Sequence, residues 1–262
     1  MSESSRLPEL FTWGCSAIEI GFLADERDYL YMLRECVARG MQMAIHSPVY
    51  QDGNRLGLLQ NDAGAWAELE RDLSVARRDG LAYLLVHLQC LQTPVEDDAL
   101  TSIKSAALKM AALSREYGVP VVLEPKLEPN RGHSLFLLLH SLPLPELESW
   151  GLAWCVDVGD IYMASQESSV PYLEMISHLA PLAKVVHLHD VVVQGERYFW
   201  TPVTGQDAVP IAETLALLNP LERDIFVVVE HTPHLVESVK QVRQGIEWLR
   251  GQLGKSVIEE GE

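Results

Sequence analysis

The sequence predicts an α/β fold built on a parallel sheet, and three observations carry that expectation. Short apolar, β-branched runs alternate with longer segments of helical periodicity. Glycine closes several of the helical segments and an apolar run starts soon after: Arg27–Arg39 precedes Gly40, Ala65–Arg78 precedes Gly80, and Asp98–Tyr117 precedes Gly118. Four of the apolar runs end in a side chain able to bind a metal. Continuous apolar strands covered by helices imply a parallel sheet. Polar residues gathered at C-terminal strand ends imply a TIM-type (β/α) barrel, because that end is where such barrels do their chemistry.

Taken in order, the expected strands are Ala17–Phe22, Met41–His46, Ala82–Leu88, Val119–Glu124, Leu152–Val158, Lys184–Leu188 and Ile225–Glu230. The later helical stretches are Pro171–Leu179, Ile211–Leu218 and Leu235–Leu249. Seven strands are one short of the eight in a complete barrel. The missing one belongs before Ala17, where LPELFTWG (7–14) reads as a short helix ending in glycine. The barrel therefore lacks or modifies its first strand, or a partner fills the gap; a homo-oligomer fits that reading. No linker, repeat or low-complexity segment divides the chain, so residues 1–262 read as one domain.

The bulk composition excludes several function classes. Acidic residues number 37 against 20 basic ones, giving a formal charge of −17. Nucleic-acid binding draws its affinity from phosphate neutralisation by lysine and arginine. The densest basic point here, ARRD at 76–79, falls on a helix, so no nucleic-acid partner is expected. No apolar run reaches the roughly 18 residues of a membrane span, and MSESSRLPEL lacks a signal pattern. Cys15, Cys36, Cys90 and Cys155 form no CxxC pair and sit in apolar text, which fits a reducing cytoplasm. Cys155, two residues before Asp157, reads as a small core residue.

The four strand-end donors are Glu124 in VPVVLEPK, Asp157 in LAWCVDVGD, His187 in AKVVHLHD and Glu230 in DIFVVVEHTPH. Three carboxylates and one imidazole make a mixed oxygen and nitrogen set suited to Mn, Mg, Co or Zn. An ion pair of Glu124 with Lys126 is the bland alternative. His189 alternates with His187 through Leu188, so both point to one strand face. Asp160 is either a cleft residue or the N-cap of the helix begun by IYMAS. Lys126 could aim a charge at a substrate oxygen. Arg197, Tyr198, Phe199 and Trp200 read as a rim loop whose aromatics could cover a sugar ring. His231 and His234 flank the last donor, while His133, His140 and His178 lie in helical or loop text with no site role.

The ordered set IEIGF (18–22), IHSPVY (45–50), LVHLQ (85–89), VVLEPK (121–126), CVDVGD (155–160), VVHLHD (185–190) and VVVEHTP (227–233) resembles the xylose-isomerase-like barrel superfamily. That group holds sugar isomerases, ketose 3-epimerases and the endonuclease IV family. The resemblance implies that Glu124, Asp157, His187 and Glu230 hold one divalent ion. It further implies that His46 and His87 match histidines completing a second metal site in the endonucleases, or else line a substrate site. The third metal of those endonucleases needs a histidine where Asp160 stands and an Asp-x-His in a loop that here reads QGERYFWTPVTG. DNA repair is therefore not expected. The resemblance implies a divalent-metal-dependent sugar or polyol isomerase or epimerase acting through an enediolate, with Glu124 and Glu230 as acid and base. A dinuclear phosphodiesterase-like hydrolase and a non-catalytic metabolite-binding barrel are the alternatives.

Overall fold

The computed structural model describes residues 7–21, 26–47, 61–88, 97–126, 135–195, 197–219, 221, 223–230 and 239–256. The chain forms two compact units, one of Met1–Glu124 with Pro145–Ala153 and one of Pro125–Leu144 with Trp154–Glu262.

The first unit opens with helix α1 (Leu7–Thr12), then β1 (Ala17–Ile20), α2 (Glu26–Arg39), β2 (Gln42–His46), α3 (Ala63–Asp79), β3 (Leu84–Leu88), α4 (Asp97–Tyr117) and β4 (Val121–Pro125). Its strands lie in chain order, β1-β2-β3-β4. The β1–β2 and β2–β3 pairs are parallel, with Ile20 opposite Ile45 and His46 opposite Leu85. Helix α3 shows how the sequence writes its own boundaries. The Asp62 side chain accepts from Ala65 N–H at one end, and Gly80 closes the other at φ 67°, sending its N–H back to Ala76 O and Arg77 O. Between these caps Leu69, Leu73 and Ala76 are fully buried on one face. The ARRD segment lies on this helix, as expected.

Helix α6 (Leu144–Ser149) belongs almost wholly to the first unit. The second unit follows α5 (Leu135–Ser141) with β5 (Ala153–Asp157), α7 (Val158–Gln166), α8 (Tyr172–Leu179), β6 (Ala183–Leu188), β7 (Asp190–Gln194), β8 (Arg197–Thr201), α9 (Ile211–Leu218), β9 (Phe226–Val229) and α10 (Val239–Ser256). Here the order is β5-β6-β9, and both pairs are parallel. Cys155, Val156, Val185 and Val186 have no exposed surface, the pattern of strands covered on both faces.

All seven expected barrel strands are present, with ends shifted by a residue or two. Residues 7–12 are helical, and among the described residues no strand precedes Ala17. Two expectations need correction. Arg197–Trp200 is not a loop: it is most of β8, which pairs antiparallel with β7 in a hairpin of its own. The hairpin turns through Gly195 at φ 65°, a value that glycine adopts without strain. Asp160 is not the N-cap of α7. Asp157 is, its side chain accepting from Asp160 N–H. The helices α5 and α6 add to the sequence expectation, and α7 contains the IYMAS segment. Among the described residues no helix is long and apolar enough to cross a membrane. Cys36 and Cys155 are buried, Cys15 is half-buried, and Cys90 lies outside the described residues.

Candidate functional site

In the second unit, strand register alone brings three donors side by side. Asp157 stands opposite His187 across β5 and β6. Leu188 stands opposite Val229 across β6 and β9, and Glu230 N–H donates to Leu188 O at 3.1 Å. The His187 Nδ1 lies 2.9 Å from Glu230 Oε2. Asp157, His187 and Glu230 each offer one ligand atom, and these atoms lie within 4.8 Å of one another. Asp157 and His187 are buried, while the Glu230 side chain keeps 38% of its surface.

Asp157 is held from three sides. Its Oδ1 accepts Asp160 N–H at 2.9 Å and faces His189 Nε2 at 2.9 Å, and its Oδ2 accepts the Lys126 ammonium at 3.0 Å. A buried carboxylate without such partners would be costly. Lys126 also lies 3.5 Å from Asp160 Oδ2 and 5.5 Å from the Trp200 ring centre. Lys126 thus forms ion pairs with Asp157 and Asp160. Tyr198 O–H donates to Asp160 Oδ1 at 3.3 Å. Burial, and after it the Asp160 and Asp157 charges, push the Tyr198 phenol far above its usual range, so it remains a donor. Trp200 packs edge-on against His189 at 5.6 Å. The hairpin therefore delivers Tyr198 and Trp200 to the strand-end cluster.

Gly159 makes room for His189. A Cβ at this position would lie 2.1 Å from His189 Cε1 and 2.9 Å from Val191 Cγ2. With no side chain there, the imidazole lies over the start of α7 and reaches Asp157.

The first unit carries a second polar cluster. His46 Nε2 and His87 Nε2 are 2.5 Å apart, and His87 Nε2 is 3.2 Å from Glu124 Oε2. These three residues also offer ligand atoms within 4.8 Å of one another. Behind His46 stands Glu19, with Oε1 3.3 Å from His46 Nδ1, and Tyr83 O–H donates to Glu19 Oε2 at 2.7 Å. Glu124 is fully buried.

Of the residues named from sequence, Asp157, His187, Glu230, Lys126, Asp160, His189 and Trp200 gather in the second unit, and His46, His87 and Glu124 in the first. The side chain of Arg197, together with His231 and His234, lies outside the described residues. Sequence reasoning missed Glu19 and Tyr83. Their only signal is a polar residue inside the apolar runs AIEI and AYLLV.

The donor chemistry fits a divalent cation. In the second unit Asp157, Asp160 and Glu230 set three carboxylates against one ammonium, Lys126, and a divalent ion would balance the difference. Oxygen donors with one imidazole suit Mg, Mn, Co or Zn.

Parallel strands in chain order, alternating with helices and carrying polar residues at their C-terminal ends, define the (β/α)-barrel class. The family model described as xylose isomerase-like TIM barrel matches residues 8–252, and the chain belongs to that family. No curated protein matches the sequence. Among solved structures the chain is similar to an L-ribulose 3-epimerase, at 17% identity and a TM-score of 0.70, covering 99% of this chain and 93% of that one. It is similar to mannonate dehydratase from Streptococcus suis, at 11% identity and a TM-score of 0.69, covering 98% and 92%. A xylose isomerase-like TIM barrel protein from Mycobacterium smegmatis in complex with magnesium aligns at 14% identity and a TM-score of 0.63, covering 97% and 89%.

Proposed function

We propose that this chain acts as a single-domain, divalent-metal-dependent isomerase or epimerase of a neutral sugar or polyol. The observation that carries the reading is the register of β5, β6 and β9, which sets Asp157, His187 and Glu230 together at three C-terminal strand ends. Glu124, at the corresponding end of β4, is the fourth ligand in this reading. The kinship with ketose 3-epimerase structures supports the reaction class. A bound divalent cation would act as a Lewis acid on the substrate carbonyl and its neighbouring hydroxyl.

The chain's own residues do the rest. Asp157 and His187 hold their places through strand register. Glu230, partly exposed, removes a proton from the carbon beside the carbonyl, and Glu124 returns one. Lys126 donates to a substrate oxygen, with its charge already balanced by Asp157 and Asp160, so a neutral substrate suits the site better than an anionic one. Asp160 accepts from a substrate hydroxyl, and Trp200 covers the apolar face of the sugar. Arg197 and His231 complete the rim in this reading. Nucleic acid and membrane are not partners, and the cytoplasm is the expected compartment.

The test is proton exchange. Ketopentoses and ketohexoses are incubated with the Mn-loaded protein in D2O and followed by NMR. Deuterium entering at the carbon next to the carbonyl supports the reading, and its absence across the panel, with metal bound, refutes it.

A second reading rests on the His46–His87–Glu124 cluster, which offers a second donor set and hence a dinuclear hydrolase. Two ions per chain with cleavage of bis(p-nitrophenyl) phosphate would favour it over isomerisation. Intact folding with no metal bound would favour a non-catalytic metabolite-binding barrel.

A further inference from the structure

We propose that Glu19 is a positioning residue that fixes the tautomer of His46, and that Tyr83 in turn fixes Glu19. The inference rests on the reading that Glu124 works at the site, and it concerns groups of the first unit alone.

The argument begins with the atoms that meet. Glu19 presents Oε1 3.3 Å from His46 Nδ1. A carboxylate only accepts, so a lone pair on Nδ1 would face a negative oxygen and be repelled. The favourable arrangement places the proton on Nδ1. Glu19 cannot easily turn away, because Tyr83 O–H donates to its other oxygen at 2.7 Å and the Tyr83 side chain is buried. The Glu19 side chain keeps only 6% of its surface, so water screens the pair little.

With Nδ1 protonated, the neutral His46 turns a lone pair on Nε2 toward His87. The 2.5 Å contact between the two Nε2 atoms then requires a proton on His87 Nε2. His87 Nε2 lies 3.2 Å, and His46 Nε2 3.8 Å, from Glu124 Oε2. One assignment fits these contacts: Tyr83 and His46 donate to Glu19, and His87 donates to His46. The reverse assignment sets a lone pair against Glu19. A carboxylate behind an imidazole is a general device for orienting the ring and committing its far nitrogen as an electron-pair donor. Here it commits His46 Nε2 as an electron-pair donor toward His87. Glu19 does not touch the substrate in this account.

The test reads the tautomers directly. Full-length protein labelled with 15N-histidine is stripped of metal with EDTA and examined by long-range 1H–15N correlation, with His46→Gln and His87→Gln assigning the two rings. Wild type is expected to show His46 protonated at Nδ1 and His87 protonated at Nε2. Glu19→Ala should move His46 to the Nε2–H form or a mixture, while the circular dichroism spectrum stays unchanged and reports an intact fold. Glu19→Gln should restore the Nδ1–H form, because the amide oxygen still accepts. Should Glu19→Ala fail to fold, Tyr83→Phe provides the second variant, with a partial shift in the same direction. Wild-type His46 protonated at Nε2, or a tautomer indifferent to Glu19→Ala, would overturn the proposal. The readout needs neither metal nor substrate. Absence of deuterium exchange in wild type would therefore refute the proposed reaction and leave this assignment standing.

Discussion

Replacing Gly159 with alanine should dislodge His189 and destabilise the second unit. A Cβ there would come 2.1 Å from His189 Cε1 and 2.6 Å from His189 Nδ1, with Val191 Cγ2 at 2.9 Å closing the escape on another side. Ordinary carbon contacts need about 3.5 Å, so the ring must shift by more than about 1 Å. A shift of that size breaks the 2.9 Å contact between His189 Nε2 and Asp157 Oδ1. Forcing an extra methyl into a packed interior costs about 1–3 kcal/mol, and losing a hydrogen bond to a charged group costs about 1.5–3 kcal/mol. Better helix propensity of alanine in α7 returns at most about 1 kcal/mol. The net cost is about 2–5 kcal/mol, which for a chain of this size lowers Tm by about 5–15 °C. Urea and thermal unfolding of wild type, Gly159→Ala, His189→Ala and the double variant measure it. With the imidazole gone, most of the clash is gone, so the alanine penalty should fall by more than half in the His189→Ala background. A Gly159→Ala protein as stable as wild type, or a penalty undiminished by His189→Ala, would refute the reasoning.

Three smaller effects follow from the same geometry. Gly80→Ala places a side chain at φ 67° and should cost about 1–2 kcal/mol in urea unfolding, whereas Gly251→Ala, inside α10 with nothing within 4 Å, should stabilise by up to about 1 kcal/mol. Burial, reinforced by the His140 ring, holds the His178 imidazole below its usual range. The unfolded chain then takes the proton first as pH falls, so the His178 contribution is complete above about pH 6.5 and is lost as pH drops through the lowered folded value. His178→Gln should flatten the pH dependence of the urea midpoint between about pH 7 and 5, and an unchanged slope would count against the assignment.

The barrel strands and their donor ends were legible because each is a local pattern. AKVVHLHD shows both its strand and its terminal imidazole within eight letters, and register then does the gathering. What was not legible depends on partners far apart in the chain. Asp157 caps α7 while also meeting Lys126 and His189, and nothing in CVDVGD separates that role from a cap at Asp160. The pairing of Lys126 with Asp157, 31 positions away, is likewise a tertiary fact. Glu19 and Tyr83 stand 64 positions apart, and no periodicity links them. The β7–β8 hairpin differs in kind: VVVQGERYFWT holds two β-rich runs around a glycine turn, a local strand-period signal that a rim loop does not need.

The most direct test of the central claim is a calorimetric Mn2+ titration of chelator-stripped wild type, Glu124→Gln and Glu230→Gln. The account predicts a saturable site in wild type. Loss of either carboxylate should remove a ligand and a charge, weakening binding by at least about tenfold, or about 1.4 kcal/mol. Equal affinity in all three proteins would contradict the claim that Glu124, Asp157, His187 and Glu230 share one ion, and would leave those side chains as ordinary buried polar partners.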